Sequence, residues 1–435
     1  MASERTFEPM LVREKDLSSM VMSPTSDLTW FRRTFKPMKQ GSVRGSVFTL
    51  ASTAMGAGYL ATPNILLNAG VIFGLGIIIF CGILIYLSLM TVARCADKYK
   101  IFHYPSVARK MLGNGWAVLL EVAIILNGYG LIIALNIIVG SLIPNIMSSF
   151  GVKGHGDLER ALAMTGLNLC VVTPLGIMRN LGALRFKALF NVTCLTFIMF
   201  VVIIEFPFFA EDNNFDTVKY AGMDMTFFSA FSLGLFAYLC HQNLTRIQNE
   251  LENASILRMK KVTGRSVTIM CTLFCLISLF GYLSCLHNTP HLIILRKPPS
   301  NISNDAAMVI CRIMITFTMS IAIPINLNPC RVSIQKLIFK VEGKASNLMH
   351  YGITLTIICT TLIFAIFFPN VEIVFHFLGG FCGGVMALII PGLMYVKYSE
   401  KPLTYWKNAI VIVVSWGLAF VGFTSLIIDV YNEAK

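Results

Sequence analysis

The sequence predicts an all-α membrane protein: eleven transmembrane helices in a five-plus-five inverted repeat, one extra C-terminal helix, and helices one and six broken. Three observations carry this fold. The chain is 56% hydrophobic and 13% charged, and its apolar runs reach the about 20 residues a helix needs to cross the hydrocarbon core. Lysines and arginines gather on alternate connections between these runs. Spans one and six are both interrupted, and they stand at corresponding places of two five-helix halves; because five is odd, each half starts on the opposite side.

Residues 1–42 are polar, with a basic cluster at Arg32, Arg33, Lys36 and Lys39, and read as a disordered cytosolic tail. They lack the apolar core of a signal peptide, so the first span directs insertion. The first repeat (43–207) holds spans at 43–68, 71–93, 115–146, 158–177 and 185–207. The second (223–396) holds 223–244, 265–287, 304–329, 347–368 and 371–396. The extra helix covers 405–430, and 431–435 form a short non-cytosolic end. With the N-terminus inside, the outer side carries only Lys153, Arg160, Lys219, Arg296, Lys297 and Lys435, while the inner loops hold most of the other basic residues. That asymmetry accounts for the net charge of +13 without a nucleic-acid partner, for which no basic patch with interleaved aromatics is present.

The twelve cysteines fall almost entirely inside predicted helices and read as small packing residues, with no structural disulfide expected outside. Of the glycosylation sequons, those at Asn191, Asn243 and Asn253 lie in a helix or on the cytosolic side, leaving Asn301 as the candidate glycan site. No nucleotide loop, metal cluster or nucleophile elbow is found, so an enzyme and a tightly bound cofactor are not expected. Gly379 to Gly384 reads as a helix-packing run.

The break in span one is written between Val43 and Ala69, where Gly56 and Gly58 flank Ala57 and Pro63 follows within two turns. Unwound backbone at membrane depth costs several kcal/mol per unpaired group, so it persists only where protein, water or a ligand satisfies it. The alternative is that these glycines only admit a neighbouring helix. In span six, Phe231 to Asn243 passes from apolar to polar without a loop, with Gly234 near its midpoint.

Several motifs in order then resemble the amino acid/auxin permease family: Met55-Gly-Ala-Gly58, Cys240-His-Gln-Asn243 followed by Glu250-Leu251, and Phe280-Gly-Tyr-Leu283. Ile323 to Arg331 resembles the double-proline and arginine end of the family's span eight, and Pro369 to Gly379 with Ile390 to Tyr395 its span ten. The match runs from 43 to about 430 and is closest to the neutral amino acid branch that includes sodium-coupled glutamine carriers.

The resemblance implies a LeuT-like fold with an amino acid between the unwound parts of spans one and six. Its carboxylate would meet the N–H groups of Gly56, Ala57 and Gly58; its ammonium would face carbonyls near Ser52 and from Phe236 to Tyr238. Thr53 and Met55 are expected to bind the substrate as well, and Phe236, Tyr238 and Asn127 would select the side chain, although Tyr238 and Asn127 read equally as packing residues. The sodium-coupled members place an asparagine where Ser52 stands, with Ser320 as its span-eight partner and Ala322 where a hydroxyl is common. A sodium ion at Ser52 and Ser320, proton coupling and uncoupled exchange are therefore all open.

Glu121 and His376 are the ionisable candidates for proton coupling; the bland reading of Glu121 is a pair with Arg109 or Lys110, and of His376 a neutral packed histidine. His241 reads as a structural hydrogen bond at the helix end. Arg312 is expected to snorkel or to meet Glu205 or Glu372 as a structural or gating charge. The function implied is secondary active transport of small neutral amino acids by a monomer, with membrane lipid as its surroundings and no obligate protein partner. The alternative is an amino acid sensor on the same fold. The membrane would be the cell surface or an acidic organelle such as a vacuole or lysosome, with the C-terminus extracellular or lumenal.

Overall fold

The computed structural model describes residues 41–151, 156–178, 187–299, 305–341, 346–402 and 404–433. Residues 1–40 of the expected tail and Asn301 lie outside the described residues.

The stretch expected as span one is three helices, α1 (Val43–Ala54), α2 (Ala57–Ala61) and α3 (Pro63–Ala69), and the span numbers below are those of the sequence expectation. Then come α4 (Val71–Tyr99), α5 (Tyr104–Leu112) and α6 (Asn114–Ser149). The fourth span joins α7 (Asp157–Leu167) to α8 (Thr173–Ile177) through a π turn, and the fifth is α9 (Lys187–Asp212). Span six is α10 (Thr226–Ala237) and α11 (His241–Glu250), followed by α12 (Ile256–Cys285), α13 (Ala306–Leu337) and α14 (Asn347–Phe367). The tenth runs from α15 (Val371–Phe377) through a π segment (Leu378–Ile389) to α16 (Ile390–Ser399), and α17 (Trp406–Glu433) closes the chain.

Among the described residues nine helices are long and apolar enough to cross a membrane. The expected first and sixth spans are outside that set because each is divided into pieces of 12 residues or fewer. Side-chain caps fix several starts: Ser42, Ser255, Asp305, Ser346 and Asn370 each accept a backbone N–H from the first turn. The Ser255 cap starts α12 well before the expected residue 265, and α13 runs on to Leu337 rather than 329. Both corrections have one cause: polar turns at the membrane surface continue a helix that hydropathy alone cuts short.

Backbone contact organises the packing. A Cβ at Gly128 of α6 would lie 2.9 Å from the Cβ of Cys330 in α13, so these two long helices meet at small residues. In the glycine run of span ten, a Cβ at Gly379 would collide with the Ser232 carbonyl of α10, and one at Gly380 with the Gly422 carbonyl of α17. Where α3 turns into α4, Gly70 takes φ 82°, and the turn pairs with the strand-like approach to α10: Val71 and Ile72 donate to the carbonyls of Lys219 and Tyr220 at 2.9 Å each, and Gly222 donates to Ala69 at 3.0 Å. Spans one and six are thereby tied together at one end.

Candidate functional site: two chain breaks in contact

The first break follows from local backbone. Met55 leaves helical geometry at φ −74°, ψ 93°, and Gly56 sits at φ −141°, ψ −123°. The carbonyl of Met55 thereby leaves the helix ladder, and Asn191 of α9 satisfies it: its Nδ2 donates to Met55 O at 2.8 Å and to Ser52 Oγ at 3.2 Å. Asn191 is 4% exposed, so this amide stands where water would otherwise be needed. Thr53 instead turns its hydroxyl back onto the Leu50 carbonyl at 2.7 Å. No atom lies within 4 Å of where a Gly56 Cβ would project, whereas a Cβ at Gly58 would lie 2.9 Å from Ala237 Cα and 3.3 Å from the Phe236 ring. One glycine faces open space; the other is the contact with span six.

The second break spans Tyr238 to Cys240, between α10 and α11. Phe236, just before it, stacks on Phe375 of α15 with ring centroids 4.8 Å apart. Just after it, Gln242 accepts from Asn127 Nδ2 of α6 at 2.9 Å, and the buried Asn127 Oδ1 has no hydrogen-bond partner. His241 lies 2.8 Å from Ser88 Oγ of α4 through Nε2, the structural bond expected at this helix end. Tyr238 is fully buried edge-on against Phe274 of α12, centroids 4.7 Å apart, with its hydroxyl beside Gly82 of α4. It thus packs spans two, six and seven together.

The remaining candidates divide. Ser320 donates to Thr316 O at 2.6 Å within its own helix, and no hydrogen bond joins it to Ser52 among the described residues. His376 is 1% exposed within α15. Glu121 accepts from Arg109 Nη2 at 3.1 Å, the bland pairing foreseen for it, in a cavity of about 210 Å³ that also exposes His103, Ser106, Lys336 and Lys340. Burial, with Lys336 and Arg109 nearby, lowers the His103 pKa to about 4.

The charges near the opposite end need correction. Arg312 meets neither Glu205 nor Glu372; it donates to the carbonyls of Ile294 at 3.0 Å and Arg296 at 3.1 Å. Glu205 pairs with Arg296, which is 2% exposed, donates to Ser284 Oγ and lies over the Phe209 ring. Glu372 accepts from His291 Nδ1 at 2.7 Å, and this hydrogen bond raises the His291 pKa. The physical reason is that residues 286–296 fold inward: Asn64 Nδ2 donates to the carbonyls of Pro290 and His291, and Ile293 and Ile294 are fully buried. A connection that reads as loop is part of the core.

Sequence reasoning missed Asn191, Gln242, Phe375 and Arg296. Asn191 had a signal, a lone amide in an apolar span, that its sequon pattern concealed.

Residues 39–432 match the family described as transmembrane amino acid transporter protein. The chain is 26% identical over 362 residues to the vacuolar amino acid transporter 5 of Schizosaccharomyces pombe, covering 82% of this chain and 84% of that one. It is 27% identical over 300 residues to a Toxoplasma gondii protein named as an amino acid transporter, covering 69% of this chain and 41% of the other. With human solute carrier family 38 member 10 it shares 23% over 393 residues, 85% of this chain but 34% of that protein. Among solved structures, MhsT in complex with L-phenylalanine superposes with a TM-score of 0.57 at 12% identity, covering 90% of this chain and 99% of the other. A manganese transporter of Eremococcus coleocola gives 0.52, also at 12% identity, covering 88% and 85%. The chain is a multi-pass integral membrane protein and belongs to the amino acid/auxin permease family.

Proposed function

We propose that this protein is a secondary active transporter of small neutral amino acids. The reading adds the divided first and sixth spans to the nine long helices, giving eleven crossings in a five-plus-five inverted repeat with the N-terminus cytosolic. One observation carries it: the two chain breaks touch through Gly58 and Ala237, and Gly56 beside that contact faces open space.

In this reading the carboxylate of the amino acid lies on the N–H groups of Gly56, Ala57 and Gly58, and its ammonium on carbonyls near Ser52 and at the end of α10. Phe236, held flat by Phe375, and the buried, unpartnered Asn127 Oδ1 bound the side chain, with Tyr238 packed behind them. A small neutral side chain suits a space walled by a ring and one amide. Alternating access exposes the site to each side in turn, because broken helices can bend where their hydrogen-bond ladders are already interrupted.

Ser320 is the better supported of the coupling candidates. Residue 324 is proline, so the Ser320 carbonyl lacks its usual amide donor four residues on and can face a sodium ion together with Ser52 oxygens. Glu121, held by Arg109, suits a structural role better than a proton carrier. The name of the yeast relative favours an organelle membrane for this chain as well.

Counter-flow of labelled amino acids into proteoliposomes holding the purified chain tests both parts, with sodium and proton gradients imposed separately. Saturable exchange is expected, with stimulation by inward sodium that Pro324→Ala weakens, because an amide at 324 would reclaim the Ser320 carbonyl. Folded protein that exchanges no amino acid sinks the transport reading; stimulation by protons alone sinks the sodium site.

A further inference from the structure

The cavity beside Glu121 is built from three separate stretches: His103, Ser106 and Arg109 from the start and body of α5, Glu121 from α6, and Lys336 and Lys340 from the end of α13 and just beyond it. It lies at the ends of spans three and eight that the lysine and arginine distribution assigns to the cytosol. Three cations face one carboxylate there, and only Arg109 is bonded to Glu121. The histidine adds no charge at neutral pH. Its Nε2 accepts from Lys336 Nζ at 3.4 Å, which leaves Nδ1–H to donate to Ser106 Oγ at 2.9 Å.

Among the described residues, two positive charges are thus left without an ion-pair partner in a cavity of about 210 Å³. Lys340 is exposed and Arg109 half-exposed at this cavity, but two of the cations are held in place: His103, itself bonded to Ser106, meets Lys336, and Glu121, 3% exposed, holds Arg109. The remaining donors are those that tetrahedral oxyanions use: the free edge of a guanidinium, two ammonium groups and a hydroxyl. A cation is excluded by the like charges, and a single carboxylate would neutralise only half of the surplus. A phosphomonoester, carrying about two negative charges at neutral pH, matches it.

We propose that this cavity is a binding site for a phosphomonoester group, presented either by a phosphoinositide headgroup of the cytosolic leaflet or by a soluble phosphorylated metabolite. Because its donors come from α5, α6 and α13, a bound phosphate would join the inner ends of spans three and eight to the connection between spans two and three. The site depends on the proposed topology only for the side it faces, and not on which amino acid is carried.

The test uses the full chain in phosphatidylcholine nanodiscs, titrated with inositol trisphosphate by calorimetry, with a cooperative thermal unfolding transition of the same preparation as the control for folding and amino acid counter-flow run separately in proteoliposomes. Saturable binding is expected. It should weaken about tenfold or more in a Lys336→Gln, Lys340→Gln double variant. In Glu121→Gln it should tighten, since the competing carboxylate is lost and Arg109 is freed; a folding defect cannot produce that opposite sign. Placing phosphatidylinositol bisphosphate in the disc separates the sources: if it displaces the trisphosphate the ligand is lipid, and if it does not the ligand is soluble, and both uphold the site. No binding by folded protein, or equal binding by wild type and the double variant, overturns it. Phosphate binding without amino acid exchange would count against the transport reading alone.

Discussion

At the scale of single residues, Asn191 is the one on which the broken first span depends. An unwound carbonyl buried away from water costs about 1–3 kcal/mol when its partner is removed, and Asn191 Nδ2 supplies that partner to Met55. Asn191→Ala is therefore expected to lower amino acid uptake about tenfold or more at equal protein level, read by counter-flow, because Met55 and Ser52 lose the donor that fixes the break. The sequence showed the glycines, since Gly56-Ala57-Gly58 before Pro63 is a local pattern. It did not show the amide that stabilises them, which lies 136 residues away on another helix. A sequon at the same asparagine drew attention to glycan chemistry instead. Asn127 was legible as a candidate, but its bond to Gln242 was not, for the same reason of distance along the chain.

At the scale of elements, the apolar runs located the long helices because hydropathy reports burial in lipid directly. Their ends were less legible: α12 begins at Ile256 because Ser255 caps it, a feature of one side chain and not of the hydrophobic pattern. The stretch 286–299 escaped altogether. Its prolines, histidines and basic residues read as an exposed loop, yet contacts from Asn64, Glu205 and Glu372 draw it inward.

This inward fold makes its contact with span ten pH-dependent. The His291 pKa is raised by its hydrogen bond to Glu372, so the bond contributes stability that is fully present below the unfolded histidine value and is lost as pH rises through the folded one. His291 is more than half exposed, so solvent screens the effect and it is small. The expected observation is a thermal midpoint that falls as pH rises above the range of a free histidine in wild type and falls less in His291→Gln. Equal slopes in the two proteins would show that the pair does not form in solution.

At the scale of the whole molecule, the two chain breaks meet through Gly58 and Ala237, and buried charges join elements distant in sequence. Glu205 on α9 and Arg296 before α13 form a pair that is nearly dry. Removing one member of such a pair leaves a buried charge and costs about 3–5 kcal/mol. Glu205→Gln and Arg296→Met alone should each lower stability by roughly that amount, and the double variant should recover much of it in a double-mutant cycle. Additive losses would mean that Arg296 acts through Phe209 and Ser284 instead. The two interruptions were legible, because glycines and polar residues inside apolar runs are local signals. Which charges pair across the molecule was not, because pairing follows from folding.

The same pair sets an order of events at the ribosome. Glu205 is synthesised 91 residues before Arg296, so for that interval α9 carries its acid group without the guanidinium it will pair with. The pair can close only after α12 has been made, which places it among the later contacts of the chain.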